Sequence, residues 1–161
     1  MVLNSLVIIA MAIIVLYMGA MIFTGKQIPE SVSQTVYIMP RTGQWVFALV
    51  MMSVGFLLAP VLMEISAERT QVFAFLMTGG ILGVGASPLV AKEKNTFHYV
   101  CAAISGIASQ VLVALNQPLC LLAWFLYVIY TLFAKDVSRH FFWAEVACML
   151  TAFVYCFVML N

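Results

Sequence analysis

Charge is what this sequence has least of. Across 161 residues it carries 7 Lys+Arg and 6 Asp+Glu, so charged side chains make up 8% of the chain against 65% hydrophobic ones. A water-soluble domain of this length draws roughly 25% of its residues from the charged set. With so few polar side chains there is no way to cover a water-facing surface, which excludes a soluble enzyme, a disordered chain and a secreted disulfide scaffold. The net charge of +1 and the absence of a basic run exclude a nucleic-acid partner, since phosphate neutralisation needs clustered Lys and Arg. The densest cluster, Lys92 to Lys94, is interrupted by Glu93.

Metal-binding and thiol motifs are also missing. Cys101, Cys120, Cys148 and Cys156 form no CxxC and no Cys/His ligand spacing, and all lie in apolar stretches, where a cysteine acts as a small hydrophobe. Cys120 and Cys156 fall at similar depth, the pairing a bridge would use, but sequence does not supply the geometry. The two histidines are too few for a three-ligand catalytic zinc site, and His140 beside Arg139 reads as a solvated loop imidazole rather than a haem ligand. No Ser-His-Asp set stands out. The expectation is a protein without cofactor or metal; whether it is an enzyme is left open, the reading leaning against one, with an enzyme acting on lipid as the minority alternative.

Long apolar runs are present in number. A bilayer crossing takes about 20 mainly apolar residues. Six stretches meet or approach that length, at about residues 2–23, 44–63, 72–91, 96–115, 119–134 and 141–160, the fifth being the shortest. The fold class is therefore all-α: a polytopic transmembrane bundle of six helices in one domain, 1–161, in contact with membrane lipid. The first stretch has no Lys or Arg before Lys26 and no A-x-A-like exit, so it reads as a retained helix rather than a signal peptide. Gly25 and Pro29 should end it. Pro60 and Pro88, near helix ends, should kink or terminate theirs.

Six crossings put the first, third and fifth loops on one side. Those loops hold Lys26, Arg41, Lys92, Lys94, Lys135 and Arg139, leaving only Arg69 opposite. The positive-inside rule then places them in the cytoplasm and both termini on the non-cytoplasmic side. Trp45, Trp143, Tyr37 and Tyr99 fall near the same interface, where amphipathic aromatics anchor.

Small residues recur on two neighbouring helices, Gly79, Gly83 and Ser87 on the third and Ala102, Ser105, Gly106 and Ser109 on the fourth. Small-xxx-small faces allow close backbone approach in lipid, so these helices should pack tightly, and the same faces are candidate homo- or hetero-oligomer contacts.

The segment from Lys26 to Arg41 is the longest connection. Pro29 and Glu30 suit a helix start, and Ser31, Gln34 and Tyr37 would then share one face of a short helix. His98, a turn into the fourth helix, shares a face with Ala102, Ser105 and Ser109. Glu145, more than a turn into the sixth, is the most deeply embedded acid, and ionisable groups inside a span usually face a partner or cavity. Ser31, Gln34, Tyr37, Arg41, His98 and Glu145 are thus candidate walls of one polar pocket near the cytoplasmic leaflet, holding a lipid or small ligand. The alternatives are a small transporter or channel, or an accessory subunit of a membrane complex.

The run Ile28 to Tyr37 after a first helix, Gly80-Ile81-Leu82-Gly83-Val84-Gly85-Ala86-Ser87-Pro88 ending the third, and His98 opening the fourth together resemble small six-helix membrane proteins of Bacteroidetes-like bacteria, of the domain-of-unknown-function type. That resemblance implies the fold, a bacterial inner-membrane location and a polar site around the Ser-rich segment and His98. It implies no particular activity.

Overall fold

The computed structural model describes residues 2–39, 41–90, 96–134 and 137–161, with the side chains of Tyr37, Ile38, Arg41, Thr42 and Val137 also outside the described set. The elements are α1 (Val2–Gly25), α2 (Thr35–Ile38), α3 (Arg41–Ile65), α4 (Gln71–Val90), α5 (Thr96–Asn116), α6 (Trp124–Phe133) and α7 (His140–Leu160). Short 3₁₀ turns at Glu68–Thr70, Pro118–Ala123 and Val137–Arg139 precede α4, α6 and α7. No strand occurs among the described residues. Setting aside the single turn α2, the described residues form six helices, and five of them are long and apolar enough to cross a membrane.

The sixth apolar helix, Pro118–Phe133, falls short by residue count. Its first six residues are 3₁₀, which rises about 2 Å per residue against about 1.5 Å for α. The combined rod is about 27 Å long, close to the ~30 Å hydrocarbon thickness. Pro118 starts it where a missing N–H costs nothing.

Five helices close a ring. α1 packs on α3, α3 on α4, α4 on α5, α5 on α7, and α7 returns to α1. α6 stands outside this ring against α7 and buries none of its residues. α1 shows how little of each helix faces inward: Val7, Ala10, Ile14 and Tyr17 form a single buried stripe at spacings of three and four, while Ile8, Val15, Leu16 and Phe23 point outward.

Glycine sets the spacing of α4 on both sides. A Cβ on Gly80 would meet Cys101 O and Ser105 N of α5, each at 2.8 Å, and one on Gly85 would lie 3.1 Å from Met52 N of α3. Gly83 faces the Cys101 thiol of α5. The close α4–α5 pairing agrees with expectation, but two of the expected contact residues lie elsewhere. Gly79 points away from the bundle with nothing within 4 Å of its Cβ position, and Gly106 looks toward Cys148 of α7. A spacing of four drifts around a 3.6-residue helix, so the run through Gly79 and Gly83 strays from the contact stripe, which follows Gly80 and Gly83. Ser105 Oγ adds a bond to Met77 O across the pair, 3.0 Å.

Polar groups between the outer helices are mutually satisfied. Trp124 Nε1 donates to Gln110 Oε1 (2.7 Å), and Gln110 Nε2 donates to Ser109 Oγ (2.9 Å) and to Cys148 Sγ (3.1 Å), tying α6 to α5 and α7. At one end of the ring, Asn116 Nδ2 donates to Thr70 Oγ1 (3.1 Å), joining the α3–α4 and α5–α6 turns. The four cysteines are free thiols, including the Cys120 and Cys156 pair.

The expected breakers fall at or near three helix ends. Pro60 lies inside α3, which continues to Ile65 because fully buried Val61 and Leu62 hold the last turn in place. Pro88 likewise sits inside α4, two residues before its end at Val90. α1 runs through Gly25, and it is Lys26, with φ 53°, that takes the left-handed turn.

Because backbone atoms of α5 crowd the Gly80 Cβ position, Gly80→Ala is expected to destabilise the protein by about 1–3 kcal/mol through helix separation. Gly79→Ala, into open space, is expected to stay within about 0.5 kcal/mol. Thermal unfolding in a common detergent checks both, and equal shifts for the two variants would contradict the assigned contact face.

Candidate functional site

The α1–α3 connection does not form the helix expected from Pro29. It runs irregularly to Ser31, turns through residues 32–34, and only then makes the single turn α2. Ser31 Oγ accepts the Gln34 N–H (2.9 Å), as a helix-capping serine does, and Gln34 Nε2 donates to Glu30 Oε2 (3.1 Å). Ser31 and Gln34 are therefore brought together by a turn, not by a shared helix face.

This turn is folded against the ring. Val32, Thr35 and Val36 are buried. Thr35 Oγ1 donates to Val32 O (2.6 Å) and so accepts from the Tyr17 hydroxyl (2.6 Å), fixing the turn to α1. The Phe142 N–H at the start of α7 donates to Glu30 O (2.9 Å).

Glu145 supplies the third anchor. Its Oε2 accepts the Val32 N–H (2.5 Å) and the Ser33 N–H (3.4 Å), and its Oε1 accepts the Ser33 hydroxyl (3.0 Å). A side chain from α7 thereby replaces the water that these two amides would otherwise need. Buried amides without a partner are strongly disfavoured, so the carboxylate and the turn are mutually dependent.

His98 lies one turn into α5 and is fully buried, with Nδ1 2.7 Å from Ser87 Oγ at the end of α4. Its ring packs near Phe47 of α3 and edge-on to Tyr99, with centroids 6.4 and 5.7 Å away.

Two cavities meet here. A polar one of about 360 Å³ is bounded by Glu30, Ser31, Ser33, Gln34, His98, Tyr99, Ala102, Phe141 and Glu145. An apolar one of about 150 Å³ lies inside the ring, with walls from α1 (Ile14), α3 (Met51, Val54), α4 (Met77, Ile81), α5 (Ala102, Ser105) and α7 (Met149, Phe153). Ser33, Ala102 and Glu145 belong to both.

Of the six residues read from the sequence as pocket walls, Ser31, Gln34, His98 and Glu145 converge on the polar cavity. The side chains of Tyr37 and Arg41 lie outside the described residues. Ala102, expected as a helix-packing residue, stands at the junction of the two cavities, and Ser87, expected in the same role, is the His98 partner. Sequence reasoning missed Ser33 and Glu30 as wall residues, and Tyr17 and Thr35 as anchors. The Ser31-Val32-Ser33 pattern was the available signal for Ser33. Nothing local to Tyr17 signals its bond to a residue 18 positions away.

The fold and the site together define an all-helical protein whose ring of apolar helices borders two open cavities that share part of their walls. In comparisons of sequence and of fold, no family model, no curated protein and no solved structure matched this chain.

Glu145→Leu leaves the Val32 and Ser33 amides without their acceptor and is expected to destabilise the protein by about 2–4 kcal/mol. Glu145→Gln keeps one carbonyl oxygen for the amides and places an NH₂ against the Ser33 hydroxyl, which can accept. It is expected to lose less than about 1.5 kcal/mol. Unfolding midpoints of the two variants test the contrast, and a Leu variant as stable as the Gln variant would remove the tether from the account.

Proposed function

We propose that this protein is a multi-pass membrane protein that binds a small amphiphile, with the polar part in the outer cavity and the apolar part inside the helix ring. The observation that carries this reading is the shared wall of Ser33, Ala102 and Glu145. Ligand sites are concave and mainly apolar, with a few converging polar groups. The inner cavity supplies the apolar part, and the hydroxyl, amide and carboxylate groups of the turn supply the polar part. In lipid, an empty apolar space between helices forfeits packing contacts, which are what hold helices together there. Occupation by an apolar group restores those contacts.

The distribution of basic residues supports a cytoplasmic position for the polar cavity. The α1–α3 segment, the start of α5 and the start of α7 all border it, and these elements adjoin the three loops that hold Lys26, Arg41, Lys92, Lys94, Lys135 and Arg139. A bacterial inner membrane is the setting this reading assigns. Binding, rather than catalysis, is the role.

A second reading, an accessory subunit acting through helix contacts, draws on α6. Its ten residues bury nothing within the chain, and Phe125, Leu126, Leu132 and Phe133 are all exposed.

Native mass spectrometry of the protein released gently from its own membrane tests both readings. A discrete small-molecule adduct is expected on the wild type. Ala102→Leu, which fills the junction of the cavities, is expected to abolish it while the protein remains folded. A bare wild-type monomer would contradict ligand binding, and a stoichiometric second chain would favour the accessory-subunit reading.

A further inference from the structure

Resting on the amphiphile reading, we propose that the bound molecule is a single-chain amphiphile with a cationic, ammonium-type head. The tail is limited by volume. An apolar cavity near 150 Å³ takes a benzene-sized group, roughly six carbons, so the inner chamber of about 150 Å³ holds one short chain or chain end and has no room for two acyl chains. Met51, Met77 and Met149 in its wall are unbranched and adapt to the shape of such a chain.

The head is selected by charge. Glu30 and Glu145 both border the polar cavity, and no Lys or Arg is among the described residues that line it. An anionic head would face two carboxylates of its own sign. An ammonium brings three donors and no acceptor, which suits a wall of acceptors. Glu145 offers the place: Oε2 takes both backbone amides, whereas among the described residues Oε1 takes only the Ser33 hydroxyl. A carboxylate oxygen has capacity for a further donor. Ser31 and Ser33 supply additional hydroxyl oxygens at the same wall. Because Glu145 also borders the inner chamber, an ammonium on Oε1 has its chain at the mouth of the apolar space. Opposite charges attract far more strongly in such a partly desolvated site than in water.

The test uses the full chain in phosphatidylcholine nanodiscs, titrated calorimetrically with hexylamine at neutral pH, hexanoate and hexan-1-ol, with empty nanodiscs subtracted. Hexylammonium is expected to saturate at one per chain with at least tenfold higher affinity than the other two. Glu145→Gln and Glu30→Gln are each expected to weaken hexylammonium several-fold and to narrow its advantage over hexanol to less than tenfold. The pair guards against a folding defect in either variant. Hexanoate or hexanol binding as tightly as hexylammonium would overturn the cationic head while leaving the amphiphile reading intact. Failure of all three to saturate on the folded wild type would overturn both.

Discussion

The Val32 and Ser33 amides sit against a helix bundle in which there is almost no polar surface to receive them. Glu145 receives both, and with them the Ser33 hydroxyl. The rest of the site follows from that interaction. Once the turn is held against α7, Val32 and Val36 are driven into the interior, Thr35 meets the Tyr17 hydroxyl of α1, and one end of the ring acquires a polar wall. An acid more than a turn inside an apolar helix is costly in isolation. Here its cost is offset by satisfying backbone groups whose burial would be costly in turn, so neither element makes sense without the other.

The ring itself depends on a different constraint. Water does not drive helices together within a bilayer, so close contact has to come from shape. α4 achieves it by presenting glycine to α5 at Gly80 and Gly83 and to α3 at Gly85. On the opposite side of the ring α1 and α7 approach each other less closely, and the apolar cavity lies among α3, α4, α5 and α7. Tight packing on one side and looser packing on the other leave a chamber rather than a solid core. The mid-bundle polar groups do not compete for that space: Gln110, Ser109, Cys148 and Trp124 satisfy one another around α6.

These two constraints meet at Ala102. Ala102 of α5 packs against the core and lines both the polar and the apolar cavity. Under the proposed binding role, a larger side chain at that position would divide one site into two.

Much of the architecture was legible in composition alone. Apolar runs of about 20 residues leave the backbone no hydrogen-bond partner but itself, so helices of that length, their number and their approximate ends follow from local sequence. The convergence of Ser31, Gln34, His98 and Glu145 was legible for a related reason: polar groups in an apolar medium are drawn to one another. What sequence did not contain was register and rotation around each helix axis. Gly79 and Gly80 are neighbours of the same type, and only the packed neighbours of α4 decide that Gly80 is crowded by backbone and Gly79 is open. Pro29 carried a local helix-start signal, but the bonds from Glu145 and Tyr17 to residues more than 100 and 18 positions away bend the same segment into a turn. Composition and periodicity act over one element at a time and so determined the helices. The chamber, its polar mouth and the tether between them are properties of several elements at once, and only tertiary contact decided them.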